Sequence, residues 1–171
     1  KYPKLLANLP SKDSGVRYRL EGYLFPATYN YGKDTTVKEM IDQMLAAMDQ
    51  NLSPYYETLE SKNINVNEVL TLASLVEKEG ATDQDRKDIA SVFYNRLNQD
   101  MPLQSNIAIL YAEGKLGQKT TLKEDATINT ELDSPYNIYK NTGLMPGPVD
   151  NPGVSAIEAA VNPSKTDYLY F

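Results

Sequence analysis

The chain has 171 residues, with 17 Lys plus Arg against 23 Asp plus Glu, a net charge of −6, and neither cysteine nor histidine. That length suits one domain with a real core. The missing residue types exclude disulfides, thiolate nucleophiles, Cys/His zinc sites and histidine-based triads within it. The acidic balance sets nucleic acid and anionic membranes aside as main partners, which leaves a carboxylate acid/base or a carboxylate-dependent metal site.

In chain order, Tyr18 to Phe25 is rich in Tyr, Leu and Phe and predicts an extended segment ending at Pro26. Thr36 and Glu39 form a capping-box pattern, and Val37, Met40, Ile41, Met44, Leu45 and Met48 make one apolar helical stripe. Ser53-Pro54 opens a short helix through about Lys62, with Ser as N-cap and Pro at the first position. Asn67 is the expected cap of a third helix, Glu68 to Glu79, closed by Gly80 and apolar nearly all round, hence buried on most sides. A fourth helix runs from Thr82 or Asp83 to about Gln99. A polar turn, Gln104-Ser105-Asn106, leads into a short helix through about Glu113. Gly114 to Pro152 is turn-rich, and so long a loop in a compact domain is usually functional. A last helix, about Ser155 to Val161, precedes a closing strand, Tyr168 to Phe171. The fold expected is α+β: several helices packed with a small β-sheet built from the Tyr-rich segment and the C-terminal strand.

Glu77 is the candidate for chemistry. It ends the most hydrophobic helix, with Ser74, Ala73 and Leu70 on its face. Desolvation there would raise its pKa, as a general acid near neutral pH requires. From the pattern alone, a solvated helix end is the favoured explanation of Glu77, Lys78 and Glu79. Glu21 lies among Tyr18, Tyr23, Phe25, Tyr29 and Tyr31. Aromatic rings of this kind stack on sugar faces or pack as a strand on the core. Gln104, Asn106, Tyr136, Asn137 and Tyr139 offer uncharged hydrogen-bonding groups suited to a polyhydroxylated ligand or to loop backbone.

Seven ordered stretches carry a resemblance: LEGYLFPATY (20–29), LTLASLVEKEG (70–80), SVFYNRL (91–97), PLQSN (102–106), SPYNIY (134–139), NTGLMPGPVDNPG (141–153) and NPSKTDYLYF (162–171). In these the chain resembles the YceG-like endolytic murein transglycosylases, in the form of their Gram-positive members. The resemblance implies a catalytic domain over residues 1–171 with a groove of the lytic transglycosylase type. It implies cleavage of the β-1,4 bond between N-acetylmuramic acid and N-acetylglucosamine, leaving a 1,6-anhydro end. Glu77, the first Glu of VEKE, matches the family's catalytic glutamate. Asn106 stands where other members carry Asp, so it is given a binding function only, together with Glu21, Gln104, Tyr136, Asn137 and Tyr139. No metal or organic cofactor is implied. The implied partners are peptidoglycan glycan strands and peptidoglycan synthases. An upstream membrane helix and a LysM-like lobe are expected outside this stretch, holding the domain extracytoplasmic. Two rivals stay open: a hydrolytic muramidase using Glu21 or Asp83 as second carboxylate, and a non-catalytic glycan-binding or divisome module.

Overall fold

A computed structural model describes residues 1–116 and 128–171; part of the turn-rich stretch expected over 114–152 therefore lies outside the described residues. The elements are α1 (Val37–Leu52), a 3-10 turn (Ser53–Tyr55), α2 (Tyr56–Ser61), α3 (Val66–Glu79), α4 (Asp83–Asn98), α5 (Asn106–Ala112) and α6 (Val154–Val161). No helix among the described residues is long and apolar enough to cross a membrane.

The helices begin where side chains can take up free backbone N–H groups. Thr36 accepts from the Glu39 N–H at 3.2 Å, and Thr82 and Asp85 form a reciprocal capping box. Asn65, not Asn67, caps α3, accepting the Glu68 N–H at 2.8 Å; Asn67 already lies inside the helix, free to reach other partners. On α1 the buried positions are Leu45, Met48 and Leu52, whereas Val37 is exposed at the helix start.

α3 is the centre of the core. Its residues from Val69 to Val76 are all buried, and it packs against α4 and α6. Ala73 and Ser74 on α3, Ala90 on α4, and Ala156, Ala159 and Ala160 on α6 are fully buried. Their small side chains let the three axes approach closely.

The expected β-sheet is absent: the described residues contain no strand. The Tyr-rich segment is a run of turns, with Glu21 and Tyr23 N–H groups returning to the Tyr18 and Leu20 carbonyls. Gly22 sits at φ +94°, and a Cβ there would stand 2.2 Å from Pro148, so the chain both bends and packs where only glycine fits. The Gly22 and Leu24 N–H groups go to Asn151 Oδ1 at 2.7 and 3.2 Å rather than to a ladder. The C-terminal segment is extended, but helix side chains take its carbonyls: Asn95 donates to those of Thr166 and Tyr168, and Arg96 to that of Leu169. With these groups already bonded, a neighbouring strand is not needed.

Candidate active site

A polar stripe runs through the otherwise apolar α3. Asn67, Thr71 and Ser74 are spaced to share one face. Asn67 accepts the Tyr23 hydroxyl at 3.0 Å and donates to the Pro146 carbonyl at 3.1 Å. Ser74 donates to the Thr71 carbonyl at 2.6 Å and accepts the Val149 N–H at 3.0 Å. These bonds lay residues 146–153 along the helix and deliver them to its C-terminal end, where Glu77 follows Ser74 by one turn. Glu77 is half-buried, and its carboxylate has no hydrogen bond or ion pair among the described residues. Gly153 lies against it: a Cβ there would stand 3.9 Å from Glu77 Oε1.

Beside Glu77 opens a charged hollow of about 320 Å³ whose walls include Arg17, Glu21, Lys78, Tyr111 and Asp150. Glu21 accepts a short hydrogen bond from the Tyr111 hydroxyl. Arg17 lies over the Tyr111 ring at 4.8 Å and donates to the Tyr111 carbonyl at 2.9 Å. Burial, and then the Glu21 bond, push the Tyr111 hydroxyl far above its ordinary titration range. Asp150 is the unusual member. Both its carboxylate oxygens are buried without a hydrogen-bond partner among the described residues. Burial pushes its pKa up to about 7; Lys78 opposes this, while the charges of Glu77 and Glu21 add to it.

Glu79, two residues beyond Glu77, points about 200° round the helix and faces a different hollow. That hollow, about 430 Å³, is lined by Glu79, Arg96, Gln104, Asn106, Tyr139 and Tyr170, among others. Ser105 donates to Glu79 at 2.9 Å, and the Tyr139 hydroxyl makes a short bond to Asn106 Oδ1. Gln104 holds a left-handed backbone (φ 56°) and donates its N–H to the Ile138 carbonyl at 3.1 Å. The predicted residues thus fall into three groups. Glu21 stands on the Glu77 side. Gln104, Asn106 and Tyr139 gather with Glu79. Tyr136 and Asn137 are buried behind these surfaces.

Tyr136 packs against the Tyr111 ring at 4.9 Å, and burial pushes its hydroxyl up to about 12. Asn137 is fully buried; it donates to the Thr130 and Leu132 carbonyls at 3.0 and 2.8 Å and accepts the Tyr139 N–H at 3.0 Å. It holds a loop together by its own side chain. Asn137→Ala is therefore expected to lower unfolding free energy by about 3 kcal/mol, roughly 1 per lost bond, readable in urea melts. Asp83, considered as a second carboxylate, is an exposed residue at the start of α4 that accepts the Ser155 hydroxyl and pairs with Arg86 at 3.6 Å. Sequence reasoning missed Arg17, Asp150, Asn151 and Gly153. Asp150 was findable as the one carboxylate in NTGLMPGPVDNPG.

The arrangement is that of a helical domain presenting a carboxylate without a partner among the described residues at a helix end, next in sequence to Lys78, which lines an acidic, cation-edged hollow. The YceG-like family model matches residues 3–171, so the chain belongs to the YceG-like family. It is 70% identical over its whole length to the endolytic murein transglycosylase of Streptococcus pneumoniae, covering 31% of that protein. It is 46% identical over 160 residues to the endolytic murein transglycosylase of Bacillus subtilis, covering 93% of this chain and 43% of that protein. The chain thus spans about a third of the streptococcal relative's length. A crystal structure of a yceG-like protein from Listeria monocytogenes superposes with a TM-score of 0.87 at 47% identity, covering 99% of this chain and 54% of that one.

Proposed function

We propose that this domain cleaves peptidoglycan glycan strands internally, at the β-1,4 bond between N-acetylmuramic acid and N-acetylglucosamine, by a lytic reaction that consumes no water. The observation that carries this is the half-buried, unpaired Glu77 carboxylate beside Gly153. The names of the relatives above support it.

Glu77, protonated, gives its proton to the glycosidic oxygen. The bond from muramic C1 to that oxygen breaks, and the N-acetylglucosamine side leaves with a 4-hydroxyl. Glu77, now a carboxylate, takes the proton from the muramic C6 hydroxyl as O6 bonds to C1. The product is a 1,6-anhydro ring and the enzyme ends protonated as it began. Because the nucleophile is tethered to the electrophile, no carboxylate is needed to position water. Positive charge developing at C1 is favoured by the Glu21 and Asp150 carboxyls on the same side. Gln104, Asn106 and Tyr139 offer amide and hydroxyl groups to a more distant part of the strand, while Tyr136 and Asn137 support the walls. In the whole protein, a segment outside this stretch would anchor the domain on the outer face of the membrane, near peptidoglycan synthases.

Hydrolysis is the second reading, because Glu21 and Asp150 both stand within Coulombic reach of the site. Digestion of peptidoglycan in ¹⁸O-water separates the two. Fragments ending in 1,6-anhydro-N-acetylmuramic acid without ¹⁸O are expected. New reducing ends carrying the solvent isotope would overturn the lytic reading.

A further inference from the structure

A further hollow, about 380 Å³, is lined by Pro26, Tyr29, Tyr31, Met44 and Asn151 among others and by no charged side chain. Tyr29 and Tyr31 stack within 18° of parallel, with ring centroids 6.4 Å apart. The Tyr29 hydroxyl donates to the Phe25 carbonyl at 2.5 Å, which fixes that ring, while Tyr31 is 40% exposed. Asn151 lines this hollow and the charged one alike. Its Oδ1 is occupied by two backbone N–H groups, so its Nδ2 remains a donor without a protein partner among the described residues.

Gly153 joins the apolar hollow to the carboxylate. The position a Cβ would take is 3.9 Å from both Glu77 Oε1 and Pro26 Cγ. Its backbone, φ −90° and ψ −176°, is one that any residue adopts. Neither conformation nor packing demands glycine here. What its bare Cα does is leave open the space between Glu77 and the apolar hollow.

We propose that the Tyr29–Tyr31 hollow is a pyranose-stacking subsite for the uncharged N-acetylglucosamine on the leaving side of the cleaved bond, and that Gly153 is the gap through which the glycosidic oxygen reaches Glu77. This rests on the lytic reading of Glu77. The pyranose face presents C–H groups to the rings, and the hollow has no charge to desolvate. Asn151 Nδ2 is placed to donate to the acetamido carbonyl. The muramic unit, whose lactyl group or peptide stem carries carboxylates, falls on the opposite side, where Arg17 and Lys78 edge the charged hollow.

The test uses three substitutions and two probes. Binding of chitotetraose, followed by NMR titration on Glu77→Gln protein, should weaken about tenfold when Tyr31→Ala is added, the scale of one lost stacking contact. Unchanged affinity overturns the subsite. Gly153→Ser keeps a residue that caps a helix start, so its melting temperature should match wild type. Its kcat on peptidoglycan should nevertheless fall at least about tenfold, because the added atoms stand between Glu77 and the sugar. Wild-type cleavage by folded Gly153→Ser overturns the gap. The binding arm does not depend on cleavage. A weakened Tyr31→Ala alongside an active Glu77→Gln would discard the catalytic reading and keep the sugar site.

Discussion

Glu77→Gln is expected to reduce strand cleavage by at least about a hundredfold, the usual scale for loss of a general acid/base, with no fall in melting temperature. Gln keeps the size and polarity of Glu and removes only the transferable proton. The structural side of the expectation follows from the carboxylate's surroundings. It makes no hydrogen bond or ion pair among the described residues, and α3 is held by the buried run from Val69 to Val76, not by its last turn. A side chain that makes no bond to the rest of the fold leaves no partner unsatisfied when Gln replaces it. A structural glutamate would give the opposite pattern, with activity kept and melting temperature lowered. Cleavage and thermal unfolding measured on one preparation discriminate the two, and retained cleavage by the folded variant would remove Glu77 from the chemistry.

The helices were legible because their signals are local. Thr36 with Glu39 announces one start, and the apolar run 69–76 announces a buried helix. The sheet was misread because Tyr-, Leu- and Phe-rich runs describe an extended, half-buried chain and say nothing about what pairs with its backbone. Here Asn151 pairs with the 22–24 turn, and Asn95 and Arg96 pair with the C-terminal segment, all from 71 or more positions away. Such long-range amide and guanidinium bonds leave no periodic trace. Asn65 and Asn67 both fit a cap; only the reach to the Glu68 N–H decides between them.

The candidate site divides in the same way. Glu77 drew notice because it closes an unusually apolar helix, but its assignment to chemistry rested on the VEKE match to the family, since the pattern alone favoured a solvated helix end. Asn137 could be noticed but not interpreted, since an amide that binds sugar and one that binds loop carbonyls look alike in sequence. Asp150 could not be weighed at all. Its isolation from water follows from the Val149 N–H meeting Ser74, 75 residues earlier, which pulls the loop down on α3.

Asp150 supplies the other large expectation, a stability that falls with rising pH. Its ordinary pKa is 3.8, and burial holds it up to about 7 in the folded protein. Below about 3.8 both folded and unfolded chains carry the proton, and the group contributes nothing to the difference. Between 3.8 and about 7 the folded chain keeps the proton that the unfolded chain has lost, so folding weakens as pH rises. Above about 7 the full cost is present, on the order of 4 kcal/mol from a displacement of that size. Asp150→Asn keeps the shape and removes the charge. Its unfolding free energy should be close to wild type at pH 4 and higher by about 2–4 kcal/mol at pH 8.5, in urea melts compared across that range. Parallel pH profiles for the two proteins would show that Asp150 is solvated rather than buried. A stabilising substitution at a buried, unpaired carboxyl is the mark of a residue kept for something other than folding. If Glu77 handles the proton as proposed, the Coulombic coupling of Asp150 to Glu77 and Glu21 puts that use near the cleaved bond, where a negative charge would stabilise the positive one forming on the sugar.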